Sequence, residues 1–325
     1  MYQTVDEQLW NGRIDYLDGA KGHRWHQIIE KGDLSKGQAS PIQKPQKGIG
    51  FLGFASDEGV SRNQGRVGAK EGPDALRKAM ANLPVHPEIS GLKMVDFGDV
   101  VCEFDDLQSA QSLLSEQVAH IIQGGYLPFL LGGGHEIAYG HFKGIQKAHP
   151  NKKIGILNID AHFDLRQDEK SPTSGTPFLQ IAQEAKSKQE AFNYMVLGIQ
   201  KAANTTTLFE TAEAHRVHYL EAHEVNLANY AKIKNSVHQF MEANDLIYLT
   251  ICLDAFAAAF APGVSAPSPL GIEPYVIHKL LEDLMSNEKV VAVDIAELSP
   301  KLDIQNQTAK LAAALAFKAI DVYAH

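Results

Sequence analysis

Short apolar runs of strand length alternate along this chain with longer stretches whose apolar residues recur every three to four positions. The short runs have the β-branched content of buried strands, and the longer stretches have the period of amphipathic helices. Strands are expected at residues 48–54, 93–100, 127–131, 153–160, 194–199, 216–219, 246–254 and 289–295. Helices are expected between them, among them 72–82, 105–124, 136–147, 226–243, 274–286 and the Ala-rich 304–324. Pro73 opens the first of these helices, Asp105 or Asp106 caps the second, and Gly124 with Gly125 closes it. Such alternation implies an α/β fold of three layers, α/β/α, around a mostly parallel sheet. Residues 31–47, rich in Gly, Lys, Ser and Pro, read as a surface loop leading from an N-terminal extension (1–47), not as a domain boundary. A single domain over 1–325 is therefore expected, with no internal repeat and no low-complexity segment.

Composition narrows the setting. With 44% hydrophobic and 21% charged residues the chain is ordinary for a globular protein. A formal charge of −9 argues against nucleic acid or an anionic membrane as partner. No segment has the charged start and apolar core of a signal peptide, and no apolar run approaches the roughly 20 residues of a membrane span. Cys102 and Cys252 allow at most one disulfide, and nothing points to an oxidising compartment. The expectation is a cytoplasmic protein acting on a small molecule.

The chemistry is concentrated at strand ends. If the strand at 153–160 stays extended, Asp160, His162 and Asp164 share one face at its carboxyl end, where open α/β sheets place ligands. Carboxylates with a neutral imidazole suit a divalent cation such as Mn²⁺, although a polar strand end needs no metal at all. Gly132, Gly133 and Gly134 let the chain turn sharply after the next apolar run and bring His135 to the same edge. Cys252 and Asp254, two apart at the end of a third run, repeat the alternation.

The ordered set GGGHE (132–136), DAHFDLR (160–166), LTICLDAFAAAFAPG (249–263) and VDIAELSP (293–300) resembles the ureohydrolases, the arginase, agmatinase and formimidoylglutamase family. Segments 10–15, 24–27, 56–60, 63–69, 174–178 and 261–267 look closest to the formimidoylglutamase branch. The resemblance implies an arginase-like fold and two Mn²⁺ ions whose bridging hydroxide attacks an amidine. The implied reaction turns N-formimidoyl-L-glutamate into L-glutamate and formamide, a step of histidine degradation. It further implies that one cation takes His135, Asp160 and Asp164, and that the other takes Asp160, His162 and Asp254. Where the family has a second bridging aspartate this chain has Cys252. Two readings of that departure stand: a thiolate ligand, or a buried thiol beside a weak or empty site. A thiolate also favours Zn²⁺, so single occupancy or Zn²⁺ are alternatives to two Mn²⁺.

By the same resemblance Glu297 holds the cationic amidine; the two carboxylates of such a substrate make Asn63, Arg66 and Arg166 candidates to bind them, with a structural salt bridge the alternative for each arginine. Asp164 and Glu297 are the expected catalytic pair. Ser174 stands where related chains place a shuttle histidine, which leaves Asp164 to carry the proton. His141 is expected only to pack on its helix, and residues 10–27 to form either a cover over the site or a strap on the surface. A homo-oligomer is also implied. Two other functions remain open: hydrolysis of another amidine such as agmatine or guanidinobutyrate, and a metal-poor binding protein on the same fold.

Overall fold

The computed structural model describes residues 1–43, 45–167 and 171–325. Lys44, inside the expected linker, lies outside the described residues. The strands are β1 (Tyr2–Gln3), β2 (Glu30–Lys31), β3 (Gly48–Ala55), β4 (Lys93–Val101), β5 (Leu127–Gly132), β6 (Ile154–Ile159), β7 (Asn193–Ile199), β8 (His218–Glu221), β9 (Leu246–Cys252) and β10 (Val290–Ala296). The helices are α1 (Glu58–Arg62), α2 (Gly72–Met80), α3 (Pro87–Ser90), α4 (Leu107–Gln123), α5 (Ile137–Ala148), α6 (Pro177–Ser187), α7 (Thr206–Ala214), α8 (Tyr230–Glu242), α9 (Pro274–Met285) and α10 (Gln307–Ala324). One sheet runs in the order β1-β4-β3-β5-β10-β9-β6-β7-β8, with β2 also on β4. All its pairings are parallel except that of β1 with β4. β10, the last strand in the chain, lies between β5 and β9 and is the piece that joins the two halves of the sheet.

Strand alternation divides the core into two layers. In β3, Ile49 and Phe51 face the layer built by α2, α8, α9 and α10, whereas Leu52 and Phe54 face that of α4, α5, α6 and α7. Both faces are covered, so the central strands read as near-continuous apolar runs. The expected three-layer architecture is the one observed.

Where boundaries differ, local backbone explains the difference. Arg216 is left-handed (φ 56°), so β8 begins two residues later than the apolar pattern suggested. Gln305 and Asn306 are also left-handed, and α10 starts after them. Asp106 caps α4 by accepting from the Ser109 amide, and Gly125, at φ 88°, takes the chain out of it.

The N-terminal extension is part of the sheet edge and of one core layer. Trp25 packs between Phe51 and Phe317, at ring separations of 6.3 and 6.0 Å. Trp10 donates its indole N–H to Asp96 (2.7 Å), the carboxylate that also takes the fully buried Arg77. Residues 10–27 therefore form a strap on the α2–α10 side, not a cover over the carboxyl ends of the strands. Among the described residues, no helix is long and apolar enough to cross a membrane.

Candidate metal centre

Four strands adjacent in the sheet, β5, β10, β9 and β6, end at one rim, and each delivers polar side chains there. After β5 the glycine run brings the backbone against the end of β3. Gly133 and Gly134 donate to the carbonyls of Phe54 and Ser56, and a Cβ on Gly133 would lie 1.9 Å from the Ser56 oxygen. Only glycine fits, and His135 is thereby set at the mouth of the sheet. Glu297, just past β10, is left-handed (φ 69°), which turns its carboxylate back to accept the His135 N–H at 2.9 Å.

The carboxylates after β6 and β9 converge for a different reason than strand alternation. β6 ends at Ile159, so Asp160, His162 and Asp164 lie beyond it, and Asp164 turns inward through a left-handed backbone (φ 47°). Likewise β9 ends at Cys252, and Asp254 sits in the 3-10 turn Leu253–Ala255. The residues expected to share a face do meet, but turns after the strands bring them together.

His135 Nδ1 lies 2.9 Å from Asp160 Oδ2 and 2.9 Å from Asp164 Oδ2. On the other side of Asp160, His162 Nδ1 is 3.5 Å from Oδ1 and 3.2 Å from Asp254 Oδ2. Two groups result, His135–Asp160–Cys252 and Asp160–His162–Asp254, each with ligand atoms within 4.8 Å of one another. Asp160 belongs to both, one oxygen to each. Ligands about 2.1 Å from a cation and at right angles are about 3 Å apart, which is the spacing seen around His135. Cys252 Sγ also lies 3.0 Å from Asp254 Oδ1 and donates to it as a thiol.

A buried nitrogen supports the fit to a metal. His135 Nδ1 has no hydrogen-bond partner among the described residues, although it is wholly enclosed. Its other nitrogen, Nε2, is 3.0 Å from Thr250 Oγ1. Thr250 donates its own proton to Asp294 (2.5 Å), which also accepts from Tyr248 OH (2.5 Å) and His141 Nδ1 (2.6 Å). Since the Thr250 proton is spent on Asp294, Thr250 accepts from His135 Nε2–H. That bond sets the tautomer in which Nδ1 carries a bare lone pair, as metal-ligating histidines require. His141 is thus a fully buried member of this network and not only a packing residue. Thr250 and Asp294 had no role in the reading of the sequence. Their signal was a polar residue in the middle of an apolar strand.

Electrostatics point the same way. Burial opposes the ionisation of Asp160, yet His135 and His162 hold it well below the usual carboxylate range. Burial would lower both histidines, but the carboxylates beside them raise each well above its ordinary value, so a proton competes for the Nδ1 lone pair and a binding cation must displace it. Burial, then Asp160, pushes Asp164 up. Glu297 is raised by burial and by Asp254 and Glu136, and Glu136 by burial to about 7. Burial and the surrounding carboxylates likewise raise the Cys252 thiol. So many acids packed together are a site in want of cations.

Above these groups opens a cleft of about 390 Å³, which Asn63, Arg66, Arg166, Ser174 and Leu208 help to line. Arg66 spends Nε and Nη2 on the carbonyls of Ser265 and Val264 (2.8 Å each), two of its three nitrogens. Asn63 reaches Ser174 Oγ at 3.3 Å. Arg166 runs across Gly175, where a Cβ would lie 2.8 Å from Arg166 Cδ.

Residues 47–321 match the Arginase family. The chain belongs to that family. Within it, the chain is 44% identical over 313 residues to formimidoylglutamase of Chromobacterium violaceum, covering 96% of this chain and 97% of the relative. Among solved structures it superimposes on formimidoylglutamase from Bacillus subtilis with a TM-score of 0.79 at 20% identity, over 93% of this chain and 92% of the other. Trypanosoma cruzi formiminoglutamase with Mn²⁺ gives 0.76 at 24% identity, over 88% and 96%. At these identities the structural likeness establishes the arginase-like α/β fold of this family member and nothing finer.

Proposed function

We propose that this chain is a formimidoylglutamase, hydrolysing N-formimidoyl-L-glutamate to L-glutamate and formamide with two Mn²⁺ ions. The observation that carries the reading is the pair of ligand groups sharing Asp160, with Glu297 beside them. The near full-length likeness to formimidoylglutamases narrows the substrate. His135, Asp160 and Asp164 would hold one cation, and Asp160, His162 and Asp254 the other. Cys252, grouped with His135 and Asp160, would add a thiolate to the set. Bound cations supply the nucleophile by making water acidic enough to ionise near neutral pH.

The chain's own groups do the rest. A formamidinium is planar and cationic, and a carboxylate accepts two of its N–H donors. Glu297 offers that carboxylate. Its Oε1 already takes the His135 amide, so Oε2 meets the substrate first. Asp164, at the rim beside His135, would take the proton of the attacking water and return it to the departing amine. The water oxygen ends on the formimino carbon, the bond from that carbon to the glutamate nitrogen breaks, and the nitrogen leaves as the amine. At the cleft mouth Arg166 and Asn63 would hold the substrate carboxylates, Arg66 contributing at most its remaining nitrogen.

Metal-reconstituted protein assayed in parallel on N-formimidoyl-L-glutamate, agmatine and guanidinobutyrate tests this. Metal-dependent release of formamide and glutamate is expected. Turnover of a guanidino substrate alone would replace the substrate assignment, and bound metal without any turnover would remove it.

A further inference from the structure

We infer that Glu136 is a positioning residue for substrate, whose buried carboxylate anchors the loop at 56–68 so that Asn63 and Arg66 stand over the metal centre. The inference rests on the functional reading above and deepens it. Glu136 follows His135 directly and is fully enclosed. Its Oε1 accepts from Ser56 Oγ and from the main-chain N–H of Gly59, both at 2.9 Å. Gln111 Nε2, from α4, donates to the Glu136 carbonyl at 2.8 Å and holds its backbone. The fit admits no side chain at Gly59, where a Cβ would lie 2.5 Å from Glu136 Cδ.

Gly134 N–H also holds the Ser56 carbonyl, and Arg62 reaches the carbonyls of Asp105 and Pro172; elsewhere the loop is tied to itself and to the far wall. Gly68 N–H donates to Asp57 (2.7 Å) and Gly65 N–H to the Val60 carbonyl (2.8 Å). Beyond them Arg66 grips Val264 and Ser265, and Asn63 meets Ser174. The loop therefore spans the cleft mouth, and Glu136 is a knot at its base. Two adjacent residues then serve three parts of the site: the His135 ring faces the metal group, its amide orients Glu297, and the Glu136 carboxylate sets the loop. A buried carboxylate is costly, and an apolar side chain could fill the space but not accept both donors. Loss of the carboxylate acceptor loosens the loop and weakens substrate binding while leaving the metal ligands in place.

Glu136→Ala and Glu136→Gln in the metal-loaded full chain test this through KM, kcat, bound Mn²⁺ and amide exchange of residues 57–66. In Glu136→Ala we expect KM to rise about tenfold or more, kcat to change far less, metal content to hold, and loop exchange to accelerate. Glu136→Gln keeps an oxygen for both donors and should restore most of KM and protection. Ser56→Ala, which removes one donor and leaves the carboxylate, gives a smaller change in the same direction and serves if the alanine variant does not fold. Unchanged KM with unchanged exchange, or metal content falling in step with kcat, overturns the inference. If the wild type does not turn over N-formimidoyl-L-glutamate, the functional reading fails, and the exchange comparison alone decides the role of Glu136 in the loop.

Discussion

Thr250→Val isolates the bond that sets the His135 tautomer. Valine keeps the volume and β-branching suited to β9 and removes only the oxygen between His135 Nε2 and Asp294. His135 is left with a buried N–H lacking an acceptor, and Asp294 keeps two of the three donors named above. An unsatisfied buried donor costs about 1–3 kcal/mol. Outer-shell partners of metal-ligating histidines are worth about 10–100-fold in metal affinity, which at 1.4 kcal/mol per decade is about 1.4–2.8 kcal/mol. The two routes give the same size of effect. Calorimetric titration of Mn²⁺ into metal-free protein should show affinity at the His135 position weakened by about 10–100-fold. Thr250→Ser retains the oxygen and should stay near the wild type. Affinity within twofold of wild type in Thr250→Val would refute the tautomer argument, as would serine failing as badly as valine.

Three further outcomes follow from the geometry. Glu297→Gln should lower kcat/KM on the amidine by about 10²-fold or more with bound metal unchanged, a loss of charge stabilisation that steady-state kinetics with metal analysis will resolve. Co²⁺-loaded protein should show thiolate-to-metal charge-transfer absorption that vanishes in Cys252→Ala, and no such band in the wild type would make Cys252 a bystander thiol. Trp10→Phe removes the indole donor to Asp96 and should cost about 1–2 kcal/mol of stability in denaturant titration while leaving kcat/KM intact, since the strap does not reach the cleft.

Most of the architecture could be read from residue pattern, because a parallel sheet buried on both faces writes each central strand as an apolar run. β3, β4, β5 and β10 lie within a residue of their expected limits. β1 and β2, two residues each, leave no periodic trace and exist only because β4 offers an edge. At the site, Asp160, His162 and Asp164 were legible as residue types at one strand end. The mechanism of their convergence was not, because it depends on a left-handed Asp164 that no spacing reveals. Arg66 shows how little a residue type says about its partners. Its charge suggested a ligand for carboxylate, but two carbonyls of the 264–265 turn already take most of its guanidinium. Thr250, Asp294 and His141 escaped because their partners lie 44 to 153 residues away in sequence.

The place of β10 has a consequence for synthesis on the ribosome. Until it emerges, the β3–β4–β5 block and the β6–β7–β8–β9 block have no strand between them, and each presents a bare edge where β10 will go. About 160 residues separate the end of β5 from β10, a wait of about 8–32 s at typical elongation rates. During it, His135 and Asp160 belong to separate half-sheets, and no shortened nascent chain can assemble their shared centre. Two exposed parallel edges are also the surfaces most open to wrong pairing. For this chain the last strand made closes the sheet, seals both hazards and switches on the chemistry in a single event.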